Sequence, residues 1–173
     1  TTAVQMGGVQ VAIGQKTAYP NNGEIRLSIK PQKPSKFRLH LRIPTWTGER
    51  FIPGKLYSYL DQSTQSFTLS VNGQPVEVPV TKGFVSIERT WKVGDRVALN
   101  LPMPVRVSRS HEAVKANTGR IALTRGPFVL CAEGIDNGGV TQRYFFDQLP
   151  KVADARTKTT TIDSSSFIQV SLP

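Results

Sequence analysis

The chain is poor in the side chains that most often carry chemistry. Of its 173 residues one is cysteine, Cys131, and two are histidine, His40 and His111. A lone cysteine excludes an internal disulfide and any multi-cysteine zinc site, and two histidines leave little for a metal cluster. No apolar run approaches the ~20 residues a membrane-spanning helix needs. The first ten residues, TTAVQMGGVQ, hold no basic segment followed by an apolar one, so they do not read as a secretion signal. The missing initiator Met points to a processed or truncated end, and a parent carrying a signal peptide would place the chain in the periplasm or outside the cell. Phosphate-binding loops are absent too: GGV occurs at Gly7 and at Gly138, without the G-x-x-x-x-G-K pattern or a following helix. There is no G-x-S-x-G nucleophile elbow, no EF-hand loop, and no segment with a sustained 3.6-residue period.

Acids are also scarce. Twelve Asp and Glu stand against 22 Lys and Arg, for a net charge of +10. Lys30, Lys33, Lys36, Arg38 and Arg42 follow one another with no acid before Glu49. A basic surface attracts polyanions. These charges alternate with apolar residues, however, and no nucleic-acid motif accompanies them. The expectation is a solvated strand face, or one that docks on an acidic neighbour. Nucleic acid is not an expected partner, and a polyanion-binding domain stands only as a third reading.

What the chain has in abundance is period two. In KFRLHLRIP, Phe37, Leu39, Leu41 and Ile43 fall on one side and Arg38, His40 and Arg42 on the other. Successive strand side chains point to opposite faces, so this is a half-buried strand with a basic outer face. The same alternation runs through VQVAIG, EIRLSIK, SFTLSV, VEVPV and RVALNL. VNGQ places Asn72-Gly73 between two such runs, the strongest short hairpin signal, and NNGE at Asn21–Glu24 reads alike. WKVGDRV joins two strands through Gly94 and Asp95. Pro44, Pro53, Pro102, Pro104 and Pro127 punctuate strand ends, where a missing N–H is tolerated. SHEAVKAN and DQLPKVADA allow one helical turn each. The tail RTKTTTIDSSSF is a loop or an edge strand without a partner. These patterns predict an all-β chain, an antiparallel β-sandwich of two packed sheets with few or no helices. The sandwich is expected over residues 1–173, with a sub-boundary near 108–118 and residues 140–173 opening a second β unit.

Chemistry is harder to find. Glycoside hydrolysis usually needs two carboxylates flanking the bond, and nothing local pairs the twelve acids. Glu88 sits on an alternating strand, and Asp95 lies in a turn, where Asp is favoured for its backbone hydrogen bonds. Cys131 lies in GPFVLCAEG, an apolar run where a thiol packs as a small hydrophobe. No catalytic residue and no metal site are expected. Among the aromatics, Trp91 and Phe84 join Trp46, Tyr57 and Tyr59 as rings able to stack on sugars. Trp91 is expected in the core. Trp46, Tyr57 and Tyr59 remain the candidates for substrate binding.

Three stretches in order carry a resemblance. They are LHLRIPTW, then VNGQPVEV with KGFVSIERTWKVGDRVALNLPMPVRV, then GRIALTRGPFVLCAEGIDN, with IPGKLYSYL between the first two. The series, over roughly residues 8–137, resembles the region that follows the catalytic barrel in glycoside hydrolase family 127, the β-L-arabinofuranosidase-like family. The resemblance implies a preceding (α/α)6 barrel in which a cysteine nucleophile and a glutamate act beside a cysteine-rich zinc site. Nothing in this chain matches that motif, and Cys131, on a post-barrel strand, does not inherit the nucleophile's role. The expectation is therefore an accessory β-sandwich, inactive alone and without a cofactor of its own. Zinc would belong to the missing barrel, and the partner would be that barrel in the same parent chain. The alternative is a carbohydrate-binding module that uses exposed aromatics.

Overall fold

A computed structural model describes residues 1–49, 52, 54–61, 65–136, 138–139, 146, 148–162 and 165–172. Among them run, in chain order, β1 (Thr2–Met6), β2 (Val9–Thr17), β3 (Glu24–Pro31), β4 (Ser35–Arg42), β5 (Tyr57–Tyr59), β6 (Thr68–Val71) and β7 (Gln74–Pro75). They continue with β8 (Phe84–Trp91), β9 (Asp95–Asn100), β10 (Val105–Ser110), β11 (Ala122–Arg125), β12 (Phe128–Leu130), β13 (Arg156–Ile162) and β14 (Ser165–Ser171). Every pairing is antiparallel. Helical structure among the described residues is confined to short 3-10 turns, two of which (Lys115–Asn117 and Val152–Asp154) fall in the two stretches whose sequence allowed a turn.

The chain divides into two compact units. The first holds Thr1–Gly48 and Thr64–Pro102, the second Glu49–Ser63 and Met103–Pro173. The excursion at Glu49–Ser63 joins the second unit because its strand β5 pairs with β10. The 108–118 stretch lies inside the second unit, where it runs from the end of β10 into a 3-10 turn.

In the first unit a six-stranded sheet, ordered β1-β2-β3-β9-β6-β7, and a β4–β8 pair supply the two layers. Alternation decides what each layer buries. Val11, Leu27 and Ile29 from β2 and β3, and Val97 and Leu99 from β9, meet Leu39 and Leu41 of β4 and Val85, Ile87 and Trp91 of β8 in one core. Lys36, Arg38, His40 and Arg42 are exposed on the other face of β4, as the sequence pattern requires. The Asn72-Gly73 turn has the two positive φ values, 54° and 81°, of a type I′ hairpin.

Three local expectations need correction. VEVPV is not a ladder strand: β7 ends at Pro75. Val76 N–H still donates to Leu69 O at 2.9 Å, but Pro75 and Pro79 have no N–H to give. Only the alternation survives, with Val76 and Val78 packed against the core. The NNGE turn is not type I′ either: neither asparagine has a positive φ. The chain reverses three residues earlier, over Ala18–Asn21, with Asn21 N–H bonded to Ala18 O at 2.8 Å around a cis Tyr19–Pro20 bond. The polar tail is no lone strand: β13 pairs with β14 from Arg156↔Ser171 to Ile162↔Ser165.

In the second unit β12-β11-β10-β5 form a four-stranded sheet, and β13 and β14 a two-stranded one. Val105 and Val107 are buried on one face of β10, and Arg106 and Ser108 are buried on the other. A strand apolar on one side and polar on the other, yet covered on both, has to satisfy its polar side internally.

Candidate functional site

The tryptophan in RTWKVGD is enclosed. Trp91 has no exposed surface. Its ring stacks on Phe37, with centroids 5.6 Å apart and planes 25° off parallel. The indole N–H donates to Phe37 O at 3.1 Å, so the one polar atom of the ring is paired where water cannot reach it. Arg89 lies over the ring, 5.3 Å from its centroid. This tryptophan is a core anchor rather than a sugar platform.

Asp95 is the most constrained carboxylate. It is buried, and burial alone pushes a carboxyl up. Asn72 Nδ2–H donates to Oδ1 at 2.8 Å and Lys92 N–H to Oδ2 at 2.9 Å. With the charges of Arg89 and Lys92, these bonds outweigh burial and hold the carboxyl below its ordinary range. Asn72 Oδ1 in turn accepts from Arg96 N–H at 2.8 Å. The carboxamide thus ties the Asn72-Gly73 turn to the β8–β9 turn, with Asp95 as the knot.

Glu88 lies on the exposed face of β8, opposite Arg38 in the β4–β8 register. Hydrogen bonds from Arg38 and Lys36 hold its carboxyl below the usual range, and Lys36 Nζ approaches Oε1 at 3.1 Å. His40 Nδ1 and Ser86 Oγ share a hydrogen bond of 2.8 Å. Arg42 Nη1–H donates to Gly83 O at 2.6 Å, with its guanidinium over the exposed Phe84 ring. Three cations of the basic stripe, Lys36, Arg38 and Arg42, are thus bonded within their own sheet.

The aromatic candidates lie in different units. Trp46, on a 3-10 turn after β4, is half-buried and packs against the first core. Tyr57 and Tyr59 are half-buried, two apart on β5 in the second unit. The Arg106 guanidinium lies 3.4 Å from the centroid of Tyr59. Burial pushes the Tyr59 phenol up, against the opposing effects of a Thr124 hydrogen bond and the Arg106 charge. Arg106 Nε–H donates to Asp61 Oδ2 at 2.8 Å, and Val107 N–H to Asp61 Oδ1 at 3.2 Å. This cluster gives no local sequence signal. Asp61 and Arg106 are 45 residues apart, and the alternation of β10 would have put Arg106 in water.

Cys131 is exposed, contrary to the buried thiol its apolar neighbours suggest. The reason is position: the sheet ends at β12, and Val129 on that strand is itself 72% exposed. Among the described residues no three His, Cys, Asp or Glu side chains gather as a metal site requires, so these residues do not fit a zinc ion. No helix among them is long and apolar enough to cross a membrane.

Comparison with known proteins follows the same division. Residues 1–103 match the family described as "Beta-L-arabinofuranosidase, GH127 middle domain", and residues 105–169 match "Glycoside hydrolase family 127 C-terminal domain". A non-reducing end β-L-arabinofuranosidase of Bifidobacterium longum subsp. longum is 31% identical over 139 residues, which is 78% of this chain and 18% of that protein. A solved GH127 β-arabinofuranosidase superposes with TM-score 0.87 at 35% identity, over 98% of this chain and 26% of its own. A GH127 β-L-arabinofuranosidase from Geobacillus stearothermophilus T6 gives 0.76 at 32% identity, over 98% of this chain and 24% of its own. The chain thus spans about a fifth to a quarter of the length of these relatives.

Proposed function

The chain belongs to glycoside hydrolase family 127, and from that premise we propose that it is the non-catalytic β part of a larger arabinofuranosidase-like hydrolase. Its role is to buttress an (α/α)6 barrel carried elsewhere on the same parent chain. The parent would cleave arabinofuranoside-type glycans, as the names of its relatives suggest, and any zinc would be held by that barrel.

One observation carries the reading. Among the described residues, the carboxylates held in ion pairs or hydrogen-bonded turns include Asp61 with Arg106, Glu88 with Lys36 and Arg38, Glu24 with Arg26, and Asp95 in two turns. A glycosidase needs one carboxyl raised as an acid and a second poised as base or nucleophile. Here Glu88 and Asp95 are both held low by their partners. The purified chain, assayed on an aryl β-L-arabinofuranoside with and without zinc, is expected to give no turnover. Turnover that survives purification and disappears in Cys131→Ala or Glu88→Gln would sink the proposal.

A second reading, glycan contact through aromatics, draws support from the partial exposure of Trp46, Tyr57 and Tyr59. It expects retardation on arabinan gels that Trp46→Ala relieves; equal mobility with and without arabinan would remove it.

A further inference from the structure

The open end of the β5–β10 ladder has a chemistry of its own. Ser58 stands opposite Arg109 across the ladder. One more bond, from His111 N–H to Leu56 O at 2.7 Å, extends the pairing past both strands. Side chains two apart on a strand share a face, so Arg109 and His111 rise on the side of Ser58. The following loop turns back through Val114 N–H to His111 O at 2.9 Å and Asn117 N–H to Val114 O at 3.0 Å. Asn117 Nδ2 lies 3.5 Å from the Tyr57 hydroxyl and ties the loop to β5. Ladder end and loop enclose an open groove of about 610 Å³, within the roughly 300–1,000 Å³ range of small-molecule sites.

Charge and hydrogen bonding define what fits. Two permanent cations, Lys55 and Arg109, oppose one acid, Glu112. Both cations are exposed, and neither forms an ion pair among the described residues. His111 Nδ1 accepts the Ala113 N–H at 3.1 Å, which leaves Nε2 as the ring nitrogen open to a ligand. Ser58, Asn117 and Thr118 add hydroxyl and amide groups. Among the described residues that line the groove there is no phenyl, phenol, indole or aliphatic side chain. From these residues a neutral sugar gains no ring face to stack on, only hydrogen bonds. An anion would gain charge-assisted bonds, and the Arg fork matches a carboxylate in two-point geometry. We infer that this groove binds an acidic saccharide, a sugar carrying a carboxylate among its hydroxyls.

The site stands apart from the accessory role. Turnover by the chain would overturn that role and leave the groove untouched, whereas failure to bind would overturn only the groove.

The test is titration of the ¹⁵N-labelled full chain with trigalacturonate, followed by amide shifts, beside neutral arabinotriose, acetate and inorganic phosphate. Trigalacturonate should move the amides of residues 55–58, 109–112 and 117–119. Arg109→Gln should weaken binding at least about tenfold while the remaining spectrum is unchanged. Raising salt from ~20 to ~200 mM should weaken it severalfold, because exposed charges are screened, and Trp46→Ala should have no effect. Arabinotriose binding as tightly would overturn the role of charge. Acetate or phosphate binding as tightly would overturn the saccharide. No shift with trigalacturonate, or an Arg109→Gln chain that binds normally, would overturn the site itself.

Discussion

Two residues carry most of the first unit's specificity. Trp91 fills the core with its whole ring and pairs its N–H, so truncation leaves a cavity and removes a buried hydrogen bond. Trp91→Ala should cost about 3–5 kcal/mol, read from the urea midpoint of the first unit; a loss under about 1 kcal/mol would contradict its role. Asp95 acts through charge. Its folded carboxyl is held below the ordinary value of about 3.9. The stability it adds is therefore complete above that pH and is lost as pH falls through the lower, folded value. Asp95→Asn should cost about 1–3 kcal/mol between pH 5 and 8, and the gap from the parent sequence should close below about pH 4. A gap that widens in acid would show the sign to be wrong. Both roles were legible in the sequence, because a turn Asp and an inward Trp follow from local pattern. The Arg106–Asp61–Tyr59 cluster was not: it exists only once β5 has paired with β10, across a long separation in sequence.

At the level of strands and turns, alternation placed most of the ladder, and it failed where backbone donors decide. Val76 and Val78 keep their inward sides, but a ladder needs N–H groups that Pro75 and Pro79 lack. The apolar run around Cys131 suggested burial, whereas an edge position exposes it, and edge or centre is a property of sheet order that period two does not encode. Two glycines separate geometry from packing. Gly73 needs its positive φ of 81° and has open space around it. Gly23 has no such φ, but a Cβ there would sit 1.8 Å from the Leu101 carbonyl oxygen, and Gly23 O accepts the Leu101 N–H at 3.0 Å. Gly73→Ala should cost about 1 kcal/mol of backbone strain. Gly23→Ala should cost about 2–3 kcal/mol, because backbone rather than a flexible side chain must move. Thermal unfolding of both variants checks the order; the reverse order would contradict the close approach at β9.

For the molecule as a whole, the division at Pro102–Met103 falls beside the junction of the two family regions between residues 103 and 105, while Glu49–Ser63 lies in the first family region and packs in the second unit. The first unit packs its core from its own strands, with Asp95 tying two of its turns, and in the second unit Asp61 holds the buried Arg106. The ordered motifs around RTWKVGD carried the family, and within them Trp91 packs in the core and Asp95 ties two turns together. The central claim is that this region stabilises and does not catalyse. The most direct measurement is kcat and melting temperature of the full-length parent carrying Glu88→Gln or Asp95→Asn, assayed well below the melting point. The account predicts kcat within about twofold of the parent for both, with a lower melting temperature for Asp95→Asn. A fall in kcat of a hundredfold or more at an unchanged melting temperature would contradict it.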